Sequence, residues 1–198
     1  EFLGCCVEQA SDLDYDITLA MARGAQTEES VYRRAVRSAR VDAMILSSPL
    51  LADPRLDLLR SLKMPFILHG RTRATAPYAT LDIDNRGAFL QATRLLCDLG
   101  HRSIALINGD TAFNYAADRE SGYREALMMK GLIPPPALIC GAMMTERHGE
   151  EEATRMLALP LTDRPTAFVC SSMAQAAGVT RAAARAGLAI GKDISLIA

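Results

Sequence analysis

Tryptophan is missing from this sequence, and aromatic residues make up only 5% of it. Excess charge is missing too: 22 lysines and arginines face 23 aspartates and glutamates, for a net charge of −1. A chain without basic excess is a poor holder of a DNA backbone, so nucleic-acid contact would need a segment outside these 198 residues. No stretch reaches the roughly 18 apolar residues that span a bilayer, so no membrane partner is expected. The start, Glu1-Phe2-Leu3-Gly4, lacks the basic residues and apolar core of a signal peptide, and the expected location is cytoplasmic. GxSxG, HExxH, P-loop and GxGxxG motifs are absent. The histidines, His69, His101 and His148, lie far apart in sequence, and neither a metal nor another cofactor is expected. Cys5, Cys6, Cys97, Cys140 and Cys170 are odd in number and form no CxxC pair, which reads as reduced thiols.

What is present is a regular alternation. Short apolar runs cover Tyr15–Ala20, Ala43–Leu46, Phe66–His69, Ser103–Ile107, Ala137–Cys140, Ala167–Cys170 and Ile194–Ala198. Between most of them lie stretches of helical period. Glu28–Ala39 sets Val31, Ala35, Val36 and Ala39 on one stripe, and Asn85–Leu99 is expected to bury Phe89, Ala92, Leu95, Leu96 and Leu99. Glu146–Leu157 and Met173–Ala186 behave alike, and the chain opens in a helix, Glu1–Leu13. Strand–helix–strand alternation predicts an α/β fold with doubly wound parallel sheets. Asp53-Pro54 reads as a helix cap followed by proline at the first helical position, and Gly100, Gly131 and Gly187 suit helix ends. A parallel sheet needs a strand before its first helix, so the chain is expected to be a fragment lacking its first strand and its C-terminal part.

Catalysis is not expected. Asp82 and Asp84, two apart on an extended segment, come nearest to an acid pair, yet strand-end and cap roles suit them better. His101, at a helix-to-strand turn, is read as a cap for helix carbonyls. In open α/β sheets ligands bind beyond the carboxyl ends of the strands. Ser47-Ser48, Gly70-Arg71, Asn108-Gly109-Asp110 and Ser171-Ser172 all fall there, and are expected to converge on one rim. Hydroxyls, a guanidinium and an amide suit a neutral polyhydroxylated ligand better than a phosphate, because these loops are not glycine-rich. Arg119 has two readings from spacing: a five-donor fork gripping vicinal hydroxyls, or a surface partner of Glu120 or Glu125.

Six segments in order resemble the effector-binding core of the LacI/GalR family of bacterial transcriptional regulators. They are Val41-Asp42-Ala43-Met44-Ile45-Leu46, Pro65-Phe66-Ile67-Leu68-His69-Gly70-Arg71, Asp82-Ile83-Asp84-Asn85-Arg86-Gly87-Ala88, Leu99-Gly100-His101-Arg102-Ser103-Ile104-Ala105-Leu106-Ile107, Arg119-Glu120-Ser121-Gly122-Tyr123 and Asp193-Ile194-Ser195-Leu196-Ile197. The resemblance implies a periplasmic-binding-protein-like fold of two subdomains, residues 1–82 and 83–198, incomplete at both ends, with a mono- or disaccharide effector in the cleft. It implies a homodimer, and operator DNA bound through an N-terminal helix-turn-helix domain not contained here. Arg119 matches the family's effector-binding arginine, and Ser47 a polar position at a cleft strand end. Gly70 stands where many members carry a hydroxyl-binding aspartate, leaving Arg71 or His69 to compensate. Ser172-Met173 replaces a usual Asn-Asp pair. Met144 stands where an aromatic often stacks on a sugar, a surface that Phe113 and Tyr115 are expected to supply instead, with core packing an equal reading for Phe113. The His69-Gly70-Arg71 run resembles members that sense α-glucosides and related plant-derived sugars. The same fold serves periplasmic sugar-binding proteins of transport systems, which is the alternative reading.

Overall fold

The computed structural model describes residues 2–21 and 27–198. The chain divides into two compact units, one of Glu1–Leu46 with Asp53–Ile67, the other of Ser47–Ala52 with Leu68–Ala198.

The first unit holds helices α1 (Phe2–Ser11), α2 (Glu28–Arg37) and α3 (Pro54–Ser61). Threonine 27 caps α2 by accepting from Ser30 N, and Asp53 caps α3 as the Asp-Pro pair predicts. The Asp53 side chain, fully buried, also takes Arg55 Nε and Nη2, at 2.9 and 2.6 Å. Helix α1 buries no residue, and Phe2, Leu3 and Val7 stay exposed. Residues 15–20 form no strand, contrary to expectation; Tyr15 and Leu19 are about two-thirds exposed, so no partner surface draws this run into a sheet. Residue 1 of the expected opening helix lies outside the described residues.

Strands β1 (Met44–Ser47), β2 (Phe66–His69) and β3 (Ala79–Leu81) form one sheet in that order. The other sheet lies within the second unit. It runs β5-β4-β6-β7, all parallel, from β4 (Ile104–Gly109), β5 (Ile139–Ala142), β6 (Ala167–Cys170) and β7 (Ser195–Ile197). Helices α4 (Asn85–Asp98) and α5 (Asn114–Met128) pack together, as do α6 (Glu146–Leu157) and α7 (Met173–Arg185).

Alternation along the central strand explains the layering. Ile104 and Leu106 join Phe89, Leu96, Tyr123 and Leu127 from α4 and α5, while Ala105 and Ile107 join Met156, Val179 and Ala183 from α6 and α7. Every residue of β4 is therefore buried, which is why it reads as a continuous apolar run. Cys140 and Cys170 flank Ile107 in register on either side. Strands lie about 4.8 Å apart, so two strand spacings hold these thiols beyond disulfide reach. Burial pushes both up to about 12.

The α4 stripe is rotated from the expected one. Asn85, Phe89, Thr93, Leu96 and Cys97 are buried, whereas Leu95 and Leu99 are more than half exposed. At the amino ends of the strands His101 does not cap carbonyls. Its Nδ1 meets Thr166 Oγ1 and its Nε2 meets Ser195 Oγ, both at 2.9 Å. Each ring nitrogen thus meets a hydroxyl, which serves as donor to one nitrogen and acceptor from the other in either neutral tautomer.

Candidate functional site at the strand tips

The carboxyl end of β4 is tied to its neighbours by two buried amides. Asn108 Nδ2 donates to Ala116 O at 2.8 Å, while its Oδ1 accepts from Gly109 N at 2.9 Å and from the Ser171 hydroxyl at 2.6 Å. Gln175, fully buried one turn into α7, donates to Asn108 O and Met143 O and accepts from Ser171 N. These bonds clamp the tips of β5, β4 and β6 into one fixed rim.

Arg119 sits on that rim, in the second turn of α5. Its guanidinium carbon lies 5.2 Å from the Phe89 ring centre and 5.1 Å from that of Tyr115, two cation–π contacts. Nε donates to Asn85 Oδ1 at 2.8 Å and Nη1 to the carbonyl of Ser171 at 3.0 Å. The Asn85 amide in turn donates to Asp82 Oδ1 and to Ile83 O. Two of five N–H groups are thus used to aim the fork, and three remain to bind. Burial pushes the Arg119 pKa down, while Tyr115 and Asp82 oppose that; an arginine nonetheless keeps its charge.

Tyr115 extends the surface. Its hydroxyl donates to Met144 Sδ at 3.4 Å, and Phe113 stacks on it at 5.8 Å between ring centres. Room for the phenol comes from Gly109, where a Cβ would lie 2.6 Å from Tyr115 Oη. Burial raises the Tyr115 pKa, so the hydroxyl remains a donor.

The loop after β1 belongs to the same unit. Leu50 bridges to Phe113, Leu51 N donates to Ala112 O, and Asn114 N donates to Pro49 O. Thr72 Oγ1 and Arg73 N both donate to Leu51 O. Ser47, exposed, ends β1 just before this loop. Gly70 has φ +114°, and a Cβ there would lie 2.7 Å from Pro49 Cδ, so no side chain is accommodated without backbone movement. His69 is partly buried just before it. Arg71 is mostly exposed and its Nε lies 3.6 Å from Asp82 Oδ2.

The structure therefore brings Arg119, Phe113, Tyr115 and Met144 into one connected set, with Ser171 bonded to Arg119. Ser172 is engaged as the α7 cap, accepting from Gln175 N at 3.2 Å, and keeps its hydroxyl proton. Arg119 pairs with neither Glu120 nor Glu125; those take Arg124 and Arg86. Sequence reasoning missed Asn85, Phe89 and Gln175. The signal for Gln175 was its place three residues after Ser172, the spacing of a capping box, although its side chain reaches Ser171 N instead of closing the box. Among the described residues, no three His, Cys, Asp or Glu side chains are placed to hold a metal, and no helix is long and apolar enough to cross a membrane.

Comparison with known proteins decides the family. The family model for periplasmic binding proteins and the sugar-binding domain of the LacI family matches residues 1–198. The chain belongs to the LacI/GalR family. It is 42% identical over its whole length to the HTH-type transcriptional regulator AglR of Rhizobium meliloti (strain 1021), of which it covers 55%. The chain thus spans about half the length of the curated relatives it matches. A LacI-family regulatory protein from Chloroflexus aggregans superposes with a TM-score of 0.86 at 31% identity, over 98% of this chain and 69% of that one. A complex of the transcriptional regulator CelR with cellobiose gives a TM-score of 0.79 at 26% identity, over 96% of this chain and 58% of that one. AglR and CelR are named as transcriptional regulators and the Chloroflexus aggregans protein as a LacI-family regulatory protein, not as transport proteins or enzymes, and this chain shares with the last a fold of two parallel-sheet subdomains with flanking helices.

Proposed function

We propose that this chain is the effector-sensing part of a cytoplasmic, LacI-type transcriptional regulator, and that it binds a mono- or disaccharide at the strand tips around Arg119. The observation that carries this reading is the Arg119 guanidinium, held between Phe89 and Tyr115 and aimed by Asn85 and Ser171 with three N–H groups uncommitted. A rigid fork beside apolar rings suits a sugar, which has hydroxyl edges and C–H faces. Ser47, His69, Gly70, Arg71, Phe113, Tyr115, Met144 and Ser172 are the proposed further contacts. The cellobiose in the CelR complex and the HTH-type name of AglR support a saccharide effector and DNA control. In the whole protein, operator DNA is bound by a homodimer through an N-terminal helix-turn-helix domain. Effector and operator then influence each other by a coupling free energy of about 1–3 kcal/mol. The proposed subdomains are residues 1–82 and 83–198, a reading supported by β3 lying in the first sheet and by α4 packing on α5.

A thermal-shift screen against mono- and disaccharides tests this. A sugar at about 100 times its Kd adds about 2.7 kcal/mol of stability, and the melting temperature rises. A screen in which sugars leave the melting temperature unchanged, while nucleosides or sugar phosphates raise it, overturns the reading.

A further inference from the structure

The Arg119 site as described is rich in donors: guanidinium N–H groups and the Ser172 hydroxyl. A sugar hydroxyl is both donor and acceptor, so a site that holds one firmly also needs an acceptor. Asp82 stands where such an acceptor is wanted. Its side chain is only 8% exposed, and its two close hydrogen bonds, from Ile83 N at 2.9 Å and Asn85 Nδ2 at 3.2 Å, both fall on Oδ1. Among the described residues, Oδ2 has an ion-pair contact with Arg71 Nε at 3.6 Å, beyond hydrogen-bond range, from a side chain that is 65% exposed. An ionised carboxylate has about four acceptor positions, so an oxygen left with one long ion pair to an exposed side chain has capacity to spare. The other carboxylates near the rim are committed differently: Asp118 Oδ2 takes Asn114 Nδ2, and Asp110 Oδ1 takes Ala112 N.

Two further features set Asp82 beside Arg119. Both bond to the same amide, Asn85, so one side chain separates carboxylate from guanidinium. Gly70, which contributes no side chain, lies alongside: its N donates to Leu81 O at 2.8 Å and its O accepts from Thr80 Oγ1 at 2.6 Å. Gly70 is thus held against β3, the strand that ends one residue before Asp82.

We infer that Asp82 is a specificity-determining contact: its Oδ2 accepts a hydroxyl hydrogen from the same sugar whose neighbouring hydroxyl oxygen is held by Arg119, displacing the long Arg71 pair. The inference rests on the sugar-binding reading above. It implies selection for a neutral sugar bearing a free hydroxyl at that point, and rejection of a phosphate or carboxylate there by like charge.

The test is Asp82→Asn, which retains an Oδ1 acceptor for Ile83 and Asn85 and turns only the second oxygen into a donor. Glucose, maltose and cellobiose are titrated calorimetrically into wild type and variant, followed by monodeoxy analogues of whichever sugar binds. Expected is a loss of about ten- to a hundred-fold in the variant for the parent sugar. One deoxy analogue, weak on wild type, should bind wild type and variant about equally. That parent-to-deoxy ratio is read where each protein is folded, so a lowered melting temperature does not mimic it. Asp82→Glu, which keeps the charge but moves it, should restore part of the discrimination. If Asp82→Asn binds the parent as wild type does, or loses all analogues equally, Asp82 is not a contact, although the sugar-binding reading stands. If wild type binds none of the sugars, both fall.

Discussion

Arg119 shows what one side chain gains from its neighbours. Two rings cover the faces of its guanidinium, and an amide and a carbonyl take two of its edges. A lysine would bring the same charge, but as a point cation that neither stacks nor forks. Arg119→Lys is therefore expected to lose nearly as much sugar affinity as Arg119→Ala, about ten- to a hundred-fold by calorimetry, with the melting temperature of the free protein little changed. A lysine variant that binds like wild type would mean that charge alone matters. The arginine itself was legible in the sequence through its resemblance. Its supports were not, because Phe89 and Asn85 sit on a helix whose sequence gives no hint of what α5 presents to it. Gly70 illustrates the opposite case. Its absent side chain was visible in the sequence, but only the +114° φ and the contact with Pro49 explain it.

Among elements, the helix pairs meet backbone to backbone. A Cβ on Gly122 of α5 would collide with Arg86 O of α4, and one on Gly178 of α7 with Glu146 O of α6. Gly122→Ala should separate α4 from α5 and cost about 1–3 kcal/mol in chemical denaturation. It should also weaken sugar binding, because Asn85 and Phe89 ride on α4 and Arg119 on α5; a neutral result would show that the helices slide freely. Most elements were legible from periodicity. Phe66–His69, Ala167–Cys170 and Glu146–Leu157 have the boundaries expected of them. The misreadings have physical causes. Residues 15–20 are apolar without a sheet to join, β3 is too short and too exposed to carry an alternating pattern, and α4 buries Thr93 and Cys97 where Leu95 and Leu99 are the more apolar choices.

For the molecule as a whole, pH dependence of stability follows from His101, whose ring joins the amino ends of β6 and β7 through Thr166 and Ser195. Burial holds its pKa below the ordinary 6.5. The unfolded chain then takes up the proton first as pH falls, so this contribution is whole above about pH 6.5 and is lost as pH drops through and below that value. The melting temperature should decline between pH 7 and pH 5, and decline less in His101→Gln; parallel profiles would remove His101 as the cause. The alternation of strands and helices disclosed the fold class, since parallel sheets covered on both faces impose it. The convergence of the rim was only partly legible, because hydrogen bonds such as those of Gln175 join residues more than 30 positions apart.

Sulfur chemistry is unevenly distributed over this molecule. Cys97, Cys140 and Cys170 are held as unreactive thiols by burial, whereas Cys5 and Cys6 lie on α1, Cys5 exposed and Cys6 partly so. A maleimide fluorophore added to the native protein therefore lands on the first helix and leaves the arginine rim unlabelled, so a dye signal that follows added sugar would report on the unit that does not carry Arg119.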